Sequence, residues 1–437
     1  MRIDPFGKEV LRLAVPAFGA LAAPSLLIIT DSAFVGSLGT RALAGLATGG
    51  AAFGAAVGLS YFLAYATTSV VARRYGAREE REAIADGVNY ITLGLIIGTF
   101  SGVLLWRYAE TLSRWIGASP DVLPSSVQWM HAAAWGTPAV MASMATIGLF
   151  RGLQDTRITF VVTTVQVSAN IALCAWFIFI ANMGIAGAGI AWAISENLGF
   201  AMYFTMLARH ARRLHVPFHP THLHGLGEAL RVGLPLLWRS ITMRVVLMGT
   251  TVVASRLGTQ ELAAFNVSLQ MWYLLANLLD AVAIAAQAIV GKRLGAAEGH
   301  LVHALVARLL RWARGYGALV GLVTMALAPI APLLFSRDAT VQHLLMLCLL
   351  VVGAQAPLGA TVFLLDGVLV GSGDTKYLAF VLTMAMCAFL PIAWAVVHWH
   401  LGVLGLWSAM LAFLMTRAAL LTRRAHGDAW IVEGATR

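Results

Sequence analysis

Charged residues are scarce in this 437-residue sequence, where Asp, Glu, Lys and Arg together make up only 11%. A soluble protein of ordinary composition has about a quarter of its residues charged. Hydrophobic residues reach 59% and the mean hydropathy is +0.79. The composition therefore excludes an ordinary soluble protein and predicts a chain that lies in a membrane.

Cysteines are rarer still, and the three that occur lie in apolar stretches without a CxxC pair. This excludes a disulfide framework and a thiolate metal site. The net charge is +10, but the basic residues lie between apolar stretches and not in one patch, so we expect no nucleic-acid partner. The sequence contains no HExxH motif and its histidines lie mostly in loops, which argues against an intramembrane enzyme.

Apolar stretches long enough to cross about 30 Å of hydrocarbon occur twelve times along the chain. They start near residues 10, 44, 87, 128, 157, 185, 229, 261, 303, 341, 376 and 402. Backbone groups in lipid must bond within their own segment, so these stretches are predicted to be helices. The sequence thus predicts an all-α polytopic membrane protein with twelve transmembrane helices. The first stretch runs to about Val35, too long for the core of a cleavable signal, and is predicted to be an uncleaved span.

The distribution of basic residues predicts the orientation of these spans. With the N-terminus placed in the cytoplasm, most of the 30 Lys and Arg residues fall on the cytoplasmic side. The few that fall outside are Arg41, Arg107, Arg114, Arg256 and Arg337. We therefore expect a multi-pass protein of the inner (cytoplasmic) membrane with both termini in the cytoplasm.

The chain also repeats itself once, with a constant offset of 219 residues. The repeated pairs include Pro16 and Pro235, Pro138 and Pro357, Gly148 and Gly367, and Gly152 and Gly371. Each repeat contains six spans, an even number, so both halves enter the membrane from the same side. The sequence predicts two parallel-repeat six-helix lobes, an architecture typical of carriers that expose a site alternately to each side.

We assign the N-terminal six-helix lobe to residues 1–207, a cytoplasmic linker to residues 208–228 and the C-terminal six-helix lobe to residues 229–437. The linker is rich in histidine, at His210, His215, His219, His222 and His224. A metal site is one interpretation of these imidazoles. Basic, proline-containing loops are more often solvated connectors, so we expect no metal.

Residues shared by both halves are expected to form the common scaffold. Polar residues inside the spans that occur in only one half need a separate explanation. Asp31 in span one corresponds to Thr250, so this carboxylate is not repeated. Charged groups at membrane depth are costly and usually mark an ion or substrate path. A carboxyl group held away from water accepts a proton readily, which suits coupling to a proton gradient. The alternative is a purely structural, hydrogen-bonded Asp31. Pro16 and Pro24 give the same helix places to bend.

Other polar residues inside the spans extend this candidate site. Gln166 and Asn170 share one face of span five and are expected to line a cavity beside Asp31, with interhelical hydrogen bonding as the alternative. In the C-terminal half, the candidates for a substrate cavity or charge network are Arg239, Arg244, Tyr273, Asn277, Asp280 and Asp366. An Arg244–Asp280 pair is a hypothesis, and a structural salt bridge explains it equally well. Glu196 in span six has no assigned role.

The sequence resembles the multidrug and toxic compound extrusion (MATE) family, in its DinF-like branch, over essentially the whole chain. The resemblance rests on the run from Asp31 to Gly39, the run from Leu279 to Ala288, and Asp366-Gly367 followed by Gly371. It implies a V-shaped fold of two lobes and export of cationic or amphiphilic organic compounds, coupled to inward proton or sodium flow. It also implies a coupling role for Asp31 and a supporting role for Asn170.

One departure bears on the coupling ion. The branch usually shows Asn-x-x-x-Asp in span five, whereas here Asn170 is followed by Cys174. Sodium prefers several oxygen ligands, so the missing acid favours protons over sodium. We expect no cofactor, a small organic substrate, surrounding lipid and a monomer. The alternative function is a lipid-linked precursor flippase of the same superfamily, which would need a more cationic cavity. A channel is disfavoured because the two halves differ in their polar content.

Overall fold

The computed structural model describes residues 5–213 and 223–436. Within these ranges the chain is almost entirely helical and contains no strand. The all-α fold class predicted from the sequence is therefore confirmed.

The first half contains six long helical segments. They are α1 (Pro5–Gly36), α2 (Thr40–Gly76, interrupted at Ser60), α3 (Glu80–Arg107), α4 (Leu123–Gly152), α5 (Thr156–Ile180) and α6 (Gly184–Arg213). A short helix, Ala109–Ile116, follows α3. The backbone of α1 stays helical through Pro16 and Pro24, although each proline removes a backbone hydrogen-bond donor and favours a bend there.

The second half contains six more. They are α7 (Leu223–Leu257), α8 (Thr259–Gly295), α9 (Gly299–Leu327), α10 (Ala339–Gly371), α11 (Thr375–His398) and α12 (Gly402–His426). A single-turn helix, Pro332–Phe335, precedes α10. Asp338 caps α10 by accepting a hydrogen bond from the backbone N–H of Thr340 at 2.8 Å. It also accepts a hydrogen bond from the Gln260 side chain of α8 at 3.0 Å. The Gln260 hydrogen bond, followed by that of Thr340, lowers the pKa of Asp338.

Ten of these twelve segments are long and apolar enough to cross a membrane. The other two, α6 and α9, have 30 and 29 residues and contain less apolar stretches. In the described part of the chain, the long helices agree in number and position with the twelve spans expected from hydropathy.

The chain divides into two compact units, residues 1–233 and 234–437. Much of the expected linker, including His215, His219 and His222, lies outside the described residues. Its last residues are helical, since α7 begins at Leu223. No proline interrupts the chain between Leu223 and Pro235, which lets the helix start early.

Corresponding glycines show that the repeat extends to the packing inside each unit. A β-carbon at Gly148 of α4 would lie 2.4 Å from the carbonyl oxygen of Ala64 in α2. A β-carbon at Gly367 of α10 would lie 2.3 Å from the carbonyl oxygen of Ala283 in α8. The second pair follows the first by 219 residues at both positions. The same backbone approach therefore occurs twice, and only a residue without a side chain permits it.

The segment after α12 covers the junction between α8 and α9. Trp430 is fully buried. Glu433 accepts a hydrogen bond from the backbone N–H of Gly299 at 2.7 Å, and the N–H of Gly434 donates to the carbonyl of Leu294 at 3.0 Å. Glu433 thus supplies a carboxylate to the N-terminus of α9, where the helix leaves backbone donors without intrahelical partners.

We expect Glu433→Ala to destabilise the protein by about 0.5–2 kcal/mol, the usual cost of losing a helix cap. The measurement is the thermal unfolding midpoint of the purified full chain in detergent. Asp121→Ala, which removes an exposed carboxylate from a loop, is the control. Equal midpoints for the two variants would contradict a capping role for Glu433.

Candidate functional site

The carboxylate of Asp31 lies where α1 meets α5 in the N-terminal unit. Asn170 of α5 is fully buried, and in the amide orientation that satisfies its neighbours its Nδ2 donates to Asp31 Oδ1 at 3.0 Å. The amide oxygen of Asn170 then lies 3.2 Å from Ser195 Oγ and 3.3 Å from the backbone nitrogen of Trp192, both on α6. Three helices therefore position this carboxylate through one amide.

Cys174 is the second partner of Asp31. It lies one turn after Asn170 on α5, is fully buried, and its thiol hydrogen-bonds to the Asp31 carboxylate. Both described hydrogen-bond partners of Asp31 are thus neutral donors, an amide and a thiol. Neither compensates the negative charge of an ionised carboxylate, which makes this group a good acceptor for a proton.

A second polar cluster lies beside it between α5 and α6. Glu196 of α6 is 7% exposed, and its carboxyl group hydrogen-bonds to the side chain of Gln166 on α5. Further along the same helices, Tyr203 Oη lies 3.4 Å from Thr163 Oγ1 and 3.3 Å from the carbonyl oxygen of Thr159. Gln166, expected beside Asp31, is therefore placed against Glu196.

In the C-terminal unit, Asp366 of α10 binds two arginines. Its Oδ2 accepts from Arg239 of α7 at 3.0 Å and also from Arg417 of α12. Arg417 is 1% exposed, and its guanidinium lies 5.4 Å from the ring centroid of Phe413. Sequence reasoning did not select Arg417, because an arginine near a helix end that is predicted to be cytoplasmic fits the positive-inside pattern. Its position within the apolar run Met410–Leu421 was the available signal.

The other C-terminal candidates lie along α7 and α8. Tyr273 and Asn277 are exposed, and Arg244 lies close enough to Tyr273 to act on it electrostatically. Polar side chains exposed on a membrane helix are expected to face a water-accessible cavity and not lipid. The Arg244–Asp280 pair stays a prediction.

A metal-binding group does not occur within residues 5–213 and 223–436, where no three His, Cys, Asp or Glu side chains lie together. Most histidines of the linker fall outside these ranges, so the expectation of no metal there stays a prediction.

Comparison with known proteins agrees with the repeat and the fold. The sequence profile of the MatE family matches residues 16–176 and again residues 235–395, with the second match 219 residues after the first. Protein DETOXIFICATION 43 of Arabidopsis thaliana is 29% identical over 476 residues, which cover 95% of this chain and 89% of that protein. DNA damage-inducible protein F of Escherichia coli K12 is 24% identical, with 97% of this chain and 94% of that protein covered.

The fold is also that of solved MATE structures. A crystal structure of the Vibrio cholerae MATE transporter VcmN in the bent form superposes with a TM-score of 0.88 and 21% identity, covering 98% of both chains. This likeness concerns the fold alone, whereas the two profile matches together span most of the sequence. The chain therefore belongs to the MatE family of multidrug and toxic compound extrusion transporters, and it is a multi-pass membrane transporter and not an enzyme.

Proposed function

We propose that this protein exports small organic compounds, cationic or amphiphilic in character, from the cytoplasm in exchange for protons. It acts in the inner membrane as a monomer surrounded by lipid, with both termini in the cytoplasm. Family membership supports transport of organic compounds. The direction, the coupling ion and the substrate class are the steps that this proposal adds.

The observation that carries the proposal is the set of partners around Asp31. Asn170 donates its amide nitrogen to the carboxylate, while its amide oxygen is taken up by Ser195 and the backbone of Trp192. Cys174 contributes sulfur, a soft atom that sodium does not favour. A sodium ion needs several oxygen ligands. A proton needs only the carboxylate, so this donor set favours proton coupling.

The carboxylate links proton binding to the conformation of α1. Protonation of Asp31 from the outside removes its negative charge and weakens its hydrogen bonds from Asn170 and Cys174. α1 contains Pro16 and Pro24, which give it places to bend when these bonds change. Release of the proton to the cytoplasm restores the first arrangement, and the cycle exposes the substrate site alternately to each side.

Arg239 and Arg417 of the C-terminal unit do not favour the alternative of a lipid-linked pyrophosphate as substrate. Such a group calls for cationic side chains that are open to it. Arg239 and Arg417 both bind Asp366, and Arg417 is buried. Antiport of organic compounds therefore remains the function that the site supports best.

The test is proton-driven transport of a fluorescent cationic dye in proteoliposomes that contain the full chain. We expect Asp31→Asn to lose transport driven by a pH gradient while dye exchange at equal pH continues, because the variant binds substrate but cannot take up a proton at this position. Asp121→Asn, a change in an exposed loop, is expected to transport like the natural sequence.

Two results would contradict the proposal. Dye transport driven by a sodium gradient at equal pH would show that sodium, and not the proton, is coupled. Full gradient-driven transport by Asp31→Asn would remove Asp31 from the coupling site and make the group of Arg239, Asp366 and Arg417 the next candidate.

A further inference from the structure

A carboxyl group lies in the middle of α6 and has no part in the mechanism above. Glu196 is 7% exposed and hydrogen-bonds to Gln166 of α5. A charged side chain at this depth is costly to insert, so carboxyl groups in spans usually serve ion or substrate paths. A glutamine at this position would make an amide–amide hydrogen bond to Gln166 without that cost. The presence of an acid is therefore explained by its ability to bind and release a proton.

Glu196 lies one helical turn from the Asp31 site along α5. Gln166 and Asn170 are four residues apart on one face of that helix, a separation of about 5.4–6 Å. Asn170 contacts Asp31, and Gln166 contacts Glu196. Because α5 is predicted to run outward from the cytoplasm, the Gln166–Glu196 contact lies on the cytoplasmic side of Asp31.

Polar groups continue from Glu196 towards the cytoplasm. Tyr203 follows Glu196 by two turns on α6, is fully buried, and lies 3.4 Å from Thr163 Oγ1 and 3.3 Å from the carbonyl oxygen of Thr159. Thr163 and Thr159 are the next turns of α5 on the same face as Gln166. The α5–α6 contact thus carries hydroxyl, amide and carboxyl groups at successive turns.

Titratable and charged groups lie along this series on each helix that forms it. Asp31 of α1 and Cys174 of α5 lie at its outer end. Tyr203 of α6 lies below Glu196 and is within electrostatic range of it. Arg151, at the cytoplasmic end of α4 and 8% exposed, acts on Tyr203. A positive charge beside a titratable group stabilises its deprotonated form, so Arg151 favours release of a proton from the inner end of this series.

We propose that Glu196 is a second proton-binding residue of the N-terminal unit, which receives the proton from Asp31 and passes it to the cytoplasm along Tyr203 and Thr163. This rests on the proton antiport proposed above. Glu196 is ionised before the transfer, and water carries the proton between the two carboxyl groups, because the amides of Asn170 and Gln166 do not conduct protons. The O–H bond of Asp31 breaks as that of Glu196 forms, and Asp31 is left ionised. Release then breaks the O–H bond of Glu196 and leaves it ionised, with the proton in cytoplasmic water.

The experiment compares two transport modes of the full chain in proteoliposomes. Transport of the cationic dye under a pH gradient requires net proton movement, whereas dye exchange at equal pH on both sides does not. We expect Glu196→Gln to lower gradient-driven transport about tenfold or more and to leave exchange intact. Glu196→Asp keeps a carboxyl group and is expected to retain part of the gradient-driven rate. Glu110→Gln, an exposed glutamate paired with Arg114, is the control.

The outcomes separate this inference from the function it rests on. If Glu196→Gln transports under a pH gradient like the natural sequence while Asp31→Asn does not, the relay is wrong and proton antiport stands. If the natural sequence itself ignores the pH gradient, the proposed function fails first. Loss of both transport modes in a folded Glu196→Gln protein would also overturn the relay.

A variant that does not fold leaves a second test. If Glu196→Gln gives no monodisperse protein, Glu196→Asp decides the question. A reduced gradient-driven rate with intact exchange supports the relay, and unchanged rates in both modes overturn it.

Discussion

Replacement of Asp366 by asparagine is expected to destabilise the protein by about 3–5 kcal/mol, the usual cost of removing one partner from a buried ion pair. Asp366 is 3% exposed and accepts hydrogen bonds from both Arg239 and Arg417. Without the carboxylate, the Arg417 guanidinium still packs on the Phe413 ring, but no negative charge of Asp366 compensates its positive charge. The effect of Arg417→Met is expected to be smaller, because Arg239 still pairs with Asp366.

The measurement is the free energy of unfolding of the purified full chain in mixed micelles. The control is Glu110→Gln, which breaks an exposed pair with Arg114 and is expected to cost about 0–1 kcal/mol. We expect the loss of stability to decrease in the order Asp366→Asn, Arg417→Met, Glu110→Gln. A loss for Asp366→Asn no larger than that for Glu110→Gln would show that this buried cluster does not hold the unit together.

Gly367→Ala is expected to destabilise the protein by about 1–3 kcal/mol or more, since a new methyl group cannot be placed without moving the backbone. Its β-carbon would lie 2.3 Å from the carbonyl oxygen of Ala283, 2.9 Å from the carbonyl carbon and 3.1 Å from the α-carbon. All three atoms belong to the main chain of α8, which cannot turn away as a side chain can. Gly148→Ala is expected to act alike, because Gly148 faces Ala64 in the same way.

A glycine in the same helix provides a control with the opposite expected sign. At Gly359 a β-carbon would lie 3.6 Å from Leu279 Cδ1, an ordinary contact distance. Gly359→Ala is therefore expected to be neutral or to stabilise by up to about 1 kcal/mol, the difference in helix propensity. Thermal unfolding midpoints of the three variants test this. Similar midpoints for Gly359→Ala and Gly367→Ala would refute close helix packing at Gly367.

Much of the architecture was predictable because it depends on local sequence properties. Hydropathy over about 20 residues predicts each span wherever it lies in the fold. The repeat at an offset of 219 pairs Gly148 with Gly367, and in the structure they face Ala64 and Ala283, which differ by the same offset. Helices α6 and α9 were also expected, although neither contains a stretch as apolar as those of the other ten segments.

The candidate site was only partly predictable. Asp31 stood out because the second half has Thr250 at the corresponding position, and Asn170 was expected nearby from the face it occupies on α5. Sequence spacing within one helix says nothing about which residues of another helix it meets. For this reason the sequence showed at Cys174 only that the aspartate usual at this position is missing. The structure shows that Cys174 donates a hydrogen bond to Asp31. Glu196 had no assigned role until its contact with Gln166 was known.

By itself the sequence determined that this protein lies in a membrane, how many helices cross it, and that two similar halves follow each other. These properties follow from hydrophobic content and periodicity, which are sums over neighbouring residues. Only the tertiary structure decided that Asp366 binds both Arg239 and Arg417, and that Asn170 joins Asp31 to α6. Such contacts join side chains of different helices, and they depend on how each helix is rotated against its neighbours.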